Sequence, residues 1–245
     1  MRLAVMQPYL FPYIGYFQLI HSVDAYVSYD SVQYVDRGWV NRNRIQVNGS
    51  AEWLTFPVQK ASRNLPINAR YYVEDRAART RLLRKLEAAY GKAKAFWEVM
   101  PVVEELLNHQ DSNVSRFNTN SLKVISEKLG LHREFVFASD LSQPEGLKGE
   151  DRVLDICRRV EADTYINPIG GTSLYDERHF KDAGVQLSFI RTDVPPKEVG
   201  DGLYQLSILD FLFERGFAAT AELMTRYTLL TPADASRYQH SIEAK

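Results

Sequence analysis

Residues able to do chemistry are concentrated in the first quarter of the chain. The run Asn41, Arg42, Asn43, Arg44, within RGWVNRNRI, alternates two amides with two guanidinium forks. An arginine fork matches the oxygens of a phosphate, and an asparagine offers both a donor and an acceptor. The alternation therefore reads as two of each presented on a turn toward an anionic ligand. Arg37 and Trp39 flank Gly38 just before it. Asp30 ends an apolar run, and the next position is Ser31, so the carboxylate stands alone there. A strand-end aspartate is a general base or orienting group in one reading and a loop cap in the other. Gln7 and Gln33 follow two successive apolar runs. They suit sugar hydroxyls or a pyrimidine edge, or they tie their own loops. His21 is the group of this front segment that titrates near neutrality, which makes it a reserve base; at a helix end it also serves the helix dipole. Lys60 lies in a polar loop and is a candidate phosphate or carboxylate contact, or a solvated lysine.

Strand-to-loop-to-helix transitions must hold these groups. Residues 3–6 form a short apolar strand that meets Gln7 and a loop carrying Pro8, Tyr9, Phe11, Pro12 and Tyr13. Gly15 releases the chain into a helical run over 16–20, and a second strand spans 25–29. A strand that feeds a helix N-terminus through a loop leaves backbone N–H groups unpaired there, and open α/β sheets take ligands at such strand ends. Asn48-Gly49 between alternating runs at 44–47 and 53–58 predicts a projecting β-hairpin. Residues 75–130 read as helical, with Leu82, Leu86 and Tyr90, then Phe117, Leu122, Ile125 and Leu129, at helical spacing. From residue 134 strand-like and helix-like runs alternate to a helix closing at Gly216, followed by another through Met224. The pattern predicts an α/β protein: a Rossmann-like, mostly parallel sheet with helices on both faces, a projecting hairpin and a helical insertion. The expected division is a front unit at 1–74, the helical insertion at 75–130, the rest of the α/β domain at 131–230 and a loose polar tail at 231–245, in one compact domain overall.

Composition bounds the function. The net charge of −1 gives no basic field for nucleic acid. No apolar run approaches the roughly 20 residues of a membrane span, and no secretion signal is visible, so a cytoplasmic protein without membrane insertion is expected. The single cysteine, Cys157, excludes an internal disulfide and a cysteine-based zinc cluster, and its neighbours Val153 and Leu154 mark it as core. The five histidines make no H-x-x-x-H pair, and G-x-S-x-G, P-loop and G-x-G-x-x-G motifs are absent. No metal site is expected.

The segments MQPYLFPYIGYFQLI, YDSVQY, RGWVNRNRI, YINPIGGTSLY and LSILDFLFERG resemble the WbqC-like family of bacterial proteins, and the likeness runs over nearly the whole chain. That family is associated with surface-polysaccharide, O-antigen-type biosynthesis. The resemblance implies an enzyme of lipopolysaccharide precursor metabolism acting on a sugar nucleotide. It adds Tyr165, Asn167, Gly170, Gly171 and Tyr175 to the candidate site, the glycines allowing close backbone approach to a phosphate or acyl carbonyl. In the family a second acidic residue often follows the position of Asp30, where this chain has Ser31.

The reaction that the resemblance implies is transfer of an acyl or aminoacyl group to the amine of a nucleotide-linked amino sugar. Asp30 or His21 would act as base, Asn41 or Asn43 would donate to the developing oxyanion, and Arg42 and Arg44 would hold the pyrophosphate. Gln7, Tyr9, Gln33, Arg37, Trp39 and Lys60 would surround the substrate. No tightly bound cofactor is expected; the donor would be a thioester of coenzyme A or of an acyl carrier protein, with a homo-oligomer as a further expected association. The front unit is also similar to nucleotidylyltransferase-type Rossmann folds, which place histidines around the helix-opening glycine where this chain has Tyr13 and Tyr16. A nucleotidylyl or adenylate-forming transferase is therefore the alternative. A non-catalytic protein binding a sugar nucleotide or a carrier protein is the third expectation.

Overall fold

The computed structural model describes residues 1–200 and 202–243, with side chains through residue 239. Its first strand, β1 (Arg2–Met6), is buried along Leu3, Ala4 and Val5 and becomes the middle of the sheet. The loop after it feeds α1 (Ile14–Ser22), which returns the chain to β2 (Ala25–Ser28), parallel to β1. The hairpin β3 (Arg42–Val47) and β4 (Ser50–Thr55) follows. Asn48 and Gly49, at φ 48° and 79°, make the turn with two left-handed residues that matches strand twist. Three helices come next: α2 (Arg76–Tyr90), α3 (Phe96–Leu107) and α4 (Val114–Lys128). The last is started by Asn113, whose side chain accepts from the Arg116 N–H at 3.2 Å. It is the crossover into β5 (Glu134–Phe137), parallel to β2.

The second half repeats the rhythm with α5 (Gly149–Arg159), β6 (Thr164–Pro168), α6 (Glu177–Asp182) and β7 (Gln186–Thr192). A small hairpin, β8 (Lys197–Val199) and β9 (Gly202–Tyr204), precedes α7 (Ile208–Ala221). Lys197 ties this hairpin to α7 through Asp210 at 2.9 Å. The chain ends with β10 (Tyr227–Leu230) and α8 (Pro232–Glu243). The main sheet has the order β10-β7-β6-β1-β2-β5, all parallel except β10, which pairs antiparallel with β7. The strands after β1 are added on one side of it and then, from β6, on the other. The sheet therefore has a topological switch point between β1 and β6.

Side chains alternate between the two faces of the sheet, as strand geometry requires. Ala4, Tyr26, Ile166 and Ile190 face a large apolar cluster shared with the hairpin, α1 to α4 and α7. Leu3, Val5, Val27, Leu187 and Phe189 face a smaller one shared with α5, α6 and α8. The expected mostly parallel sheet with helices on both faces, the hairpin and the helical insertion are all present. Cys157 is fully buried in the smaller cluster, where burial pushes its thiol up to about 12.

The loose tail is corrected. Residues 232–243 form α8, and Ala235 on it is fully buried. Thr231 caps the helix: the Asp234 N–H donates to its hydroxyl at 3.2 Å while the hydroxyl donates back to the Asp234 carboxylate at 2.7 Å. Residues 244–245 of that tail lie outside the described part. The helix at Gly216 breaks and resumes, because Gly216 adopts φ 79° and ψ 174° between two helical halves. The second half stops at Ala221, short of Met224.

Candidate active site at the carboxyl edge of the sheet

The parallel strands all end on one edge, at Met6, Ser28, Phe137, Pro168 and Thr192. The loop leaving β1 there is fixed by buried polar side chains reaching its carbonyls. Asn118 donates to Pro8 at 3.0 Å and to Val40 at 2.7 Å. Asn43 and Ser207 donate to the Phe11 carbonyl at 3.0 and 2.7 Å. Phe11 itself sits at φ 42°, a conformation that this set of bonds holds in place. Tyr9 and Tyr16 pack at 5.2 Å between centroids, and the Tyr16 hydroxyl donates to the Gln7 carbonyl at 3.2 Å. Burial raises the pKa of both phenols, so they act as neutral groups. Among the described residues the half-buried Gln7 side chain has no hydrogen-bond partner.

Past β2, Asp30 is 2% exposed and accepts three hydrogen bonds: from the Ser115 hydroxyl at 3.0 Å, the Ser139 N–H at 3.0 Å and the Ser139 hydroxyl at 2.8 Å. It thereby joins the ends of β2 and β5 to the first turn of α4. It also lines a cavity of about 400 Å³ shared with Asp111, Asp140, Arg116, Asn113 and Tyr71. Arg116 pairs with Asp111 at 3.6 Å. Three carboxylates against one guanidinium leave the cavity negative, the polarity that suits an ammonium group. Among the described residues no group of three or more His, Cys, Asp or Glu is arranged to hold a metal.

On the other side of the switch point, the ends of β6 and β7 line a cavity of about 560 Å³ with Tyr13 from the start of α1. Its walls include Pro168, Gly170, Val194 and Pro195, and it is the more apolar of the two. Behind it the Tyr165 hydroxyl donates to the Asn167 side chain at 3.1 Å and meets the Tyr175 hydroxyl at 3.0 Å. Burial holds both phenols neutral. A side chain at Gly171 would bring its Cβ within 2.0 Å of the Asn167 amide, whereas Gly170 faces open space.

The Asn41–Arg44 run lies at and on β3 rather than on a turn, and the alternation of a strand separates its two residue types. Asn41 and Asn43 point inward and are 8% and 3% exposed. Asn41 accepts from the Tyr34 hydroxyl at 2.8 Å and donates to the Phe56 carbonyl at 2.9 Å. Asn43 accepts from the Arg44 N–H at 2.8 Å while donating to the loop. Both amides are thus engaged within the fold, and the two-donor, two-acceptor turn expected from sequence is corrected. Arg42 and Arg44 lie on the other face, their guanidinium carbons 4.0 and 4.9 Å from the Trp53 ring centroid. Arg44 is also 4.8 Å from the Tyr204 ring, and Trp39 packs on Trp53 at 5.1 Å. The Arg37 carbonyl accepts from Arg42.

His21 is not brought to this edge. It ends α1, at the opposite ends of the strands, roughly 16 Å away by the length of a five-residue strand. There it contacts the Tyr227 hydroxyl at 3.2 Å, and burial, then Arg133 and Arg2, lower its pKa. Gln33 is exposed and donates to the Arg63 carbonyl at 3.0 Å. Lys60 lines a separate cavity with Tyr34 and Arg70. The edge therefore gathers Gln7, Tyr9, Asp30, Asn167, Gly170, Gly171 and Tyr175, while Arg42 and Arg44 lie on the hairpin, with Arg37 and Trp39 in the loop before it. Sequence reasoning missed Ser115, Ser139, Asp111, Asp140 and Arg116 as site residues; the available signals were the capping asparagine in DSNVSRF and the polar end of the strand run REFVFASD, at Ser139 and Asp140.

A relative from Mycobacterium tuberculosis (strain ATCC 25618 / H37Rv), named there as the uncharacterized protein Rv1507c, is 29% identical over 222 residues, which are 89% of this chain and 95% of that protein. No solved structure matches the chain. The model of the WbqC-like protein family matches residues 7–222, and the chain belongs to that family.

Proposed function

We propose that the protein is a transferase of surface-polysaccharide precursor metabolism that takes a nucleotide-linked amino sugar at the carboxyl edge and acylates its amine. The observation that carries this reading is the cavity lined by Asp30, Asp111 and Asp140 at the carboxyl ends of β2 and β5, the edge at which open parallel sheets commonly take ligands. Carboxylates at such a place hold an ammonium by charge and hydrogen bonds, and one of them accepts its proton before attack. Asp140 is the exposed candidate for that step. Asp30, with three donors on it, serves better as the group that positions its neighbours. The nitrogen then attacks a thioester carbonyl, the C–N bond forms, the C–S bond breaks, and the thiol leaves with a proton. The apolar cavity beside Tyr13 and Gly170 suits a nucleobase or an acyl chain.

The test compares a nucleotide-linked amino sugar with the same nucleotide sugar bearing a hydroxyl in place of the amine. A ligand of the folded state raises the melting midpoint by mass action. The amine compound gives the larger shift and releases free thiol from an acyl thioester; equal shifts for the two compounds overturn the amine assignment. The strand order and the strand–loop–helix front unit favour one second reading, a nucleotidylyl or adenylate-forming transferase. That reading requires a shift with ATP or CTP and Mg²⁺ alone.

A further inference from the structure

Next to the carboxylate-lined cavity lies one of opposite sign. It measures about 470 Å³ and is lined by Arg70, Lys60, Arg63, Tyr34 and Gln59, with Asp36 as its acidic member. Arg70 is 6% exposed, yet among the described residues no carboxylate forms an ion pair with it, nor with Lys60 or Arg63. Its guanidinium is instead held by backbone carbonyls, of Ser62 at 2.9 Å, Ala61 at 3.4 Å and Gln59 at 3.3 Å, and lies 4.6 Å from the Tyr34 ring centroid. Its Nε–H is buried with no partner. Carbonyls and a ring face satisfy part of a cation's hydrogen bonding but do not neutralise it, and a buried charge without a counter-charge is costly to keep. Fixed in place, such a charge is pre-organised for an anion.

We propose that this cavity is a phosphate-binding site. Arg70 supplies a fixed positive floor, and Lys60 and Arg63, both exposed at the rim, supply the mobile donors. Three cations against the single carboxylate of Asp36 leave two positive charges, which favours a multiply charged phosphate over a single carboxylate. The two cavities share one short segment. Asn68 and Tyr71 line the acidic cavity, Arg70 lines the basic one, and the Gln59 N–H donates to the Tyr71 carbonyl at 2.8 Å across the boundary. In assigning this phosphate to the same ligand whose amine enters the acidic cavity, the inference rests on the reading proposed above. The anion site itself stands on Arg70 and its cavity alone.

Calorimetric titration with inorganic pyrophosphate, which carries no amine, isolates the site. The full chain is expected to bind it, more weakly as salt is raised. The double variant Lys60→Ala, Arg63→Ala, at two exposed positions, is expected to bind about tenfold more weakly, and Arg70→Met to lose binding. If Arg70→Met does not fold, as judged by near-ultraviolet circular dichroism, the double variant decides alone. Absence of pyrophosphate binding, an unchanged affinity in the double variant, or equal binding of malonate overturns the phosphate site. None of those results touches the amine reading, which is tested by the amine-for-hydroxyl pair. Conversely, pyrophosphate binding with no preference for the amine keeps this site and removes that reading.

Discussion

Ser139 reaches Asp30 twice, through its backbone N–H at 3.0 Å and its hydroxyl at 2.8 Å, and so fastens the chain leaving β5 to the end of β2. Ser115, at the first turn of α4, completes the set at 3.0 Å. Asp30→Ala strips the partner from three donors in a place that is 2% exposed. The expected cost is about 3 kcal/mol, seen as a melting midpoint lowered by roughly 6–12 °C in calorimetry. A loss under about 1 kcal/mol would show that the junction is not held by this carboxylate.

Asp111 and Asp140 line the same cavity without belonging to that junction. Asp111→Asn and Asp140→Asn are therefore expected to leave the melting midpoint within a few degrees while each weakens binding of a nucleotide-linked amino sugar about tenfold. Binding of the hydroxyl counterpart should be unaffected by either change.

Adjacent glycines give a contrast within one loop. Gly171→Ala sets a Cβ against the Asn167 amide and must displace the Tyr165–Asn167–Tyr175 network, whereas Gly170→Ala meets nothing. The first is expected to cost about 2 kcal/mol and to weaken ligand binding; the second should match the parent in both thermal and binding assays.

At Gly216 the backbone lies in a region open essentially to glycine, and an added Cβ would come within 2.5 Å of a Glu98 carboxylate oxygen. Glu98 already accepts the Phe217 N–H at 3.1 Å. Gly216→Ala is expected to destabilise by about 2–3 kcal/mol, measured by urea denaturation with an unchanged slope.

Two histidines respond to pH in opposite senses. The hydrogen bond and charge of Glu150 raise the pKa of His179 above its ordinary 6.5. A raised folded value adds stability that is fully present below the unfolded pKa and is lost as pH rises through the folded one. His21 is lowered, so acidification below its unfolded value works against the fold. The difference in midpoint between the parent and His179→Gln should be largest near pH 5.5 and vanish at alkaline pH. For His21→Gln, the parent should lose ground to the variant as pH falls.

The periodic parts of the fold could be read from the sequence because burial imprints them: the central strands are apolar runs and α4 has a clean apolar stripe. Strand order could not, since nothing in β6 states which side of β1 it will join. The N-R-N-R run holds no apolar residue of its own, and its inner face is marked only by Ile45 and Val47, which continue the strand on the side of Asn43. Its aromatic partners come from across the hairpin, at Trp53, and from the distant Tyr204. Helix α8 is legible at its start, where Thr231, Pro232 and Asp234 spell its cap, while the polar composition after it hides the helix. Arg70 left no trace, because a buried arginine held by carbonyls looks in sequence like any loop cation.

The segment shared by the two cavities has a consequence for choice among ligands. Asn68 and Tyr71 line the acidic cavity and Arg70, between them in the chain, lines the basic one, so the two linings are anchored on one stretch of backbone. A backbone shared in this way holds the two linings at a set spacing. On the proposed reading, a ligand fills both cavities only where the spacing of its amine and phosphate matches theirs. Rejection by length of this kind needs no moving lid and no steric block, only a rigid spacer.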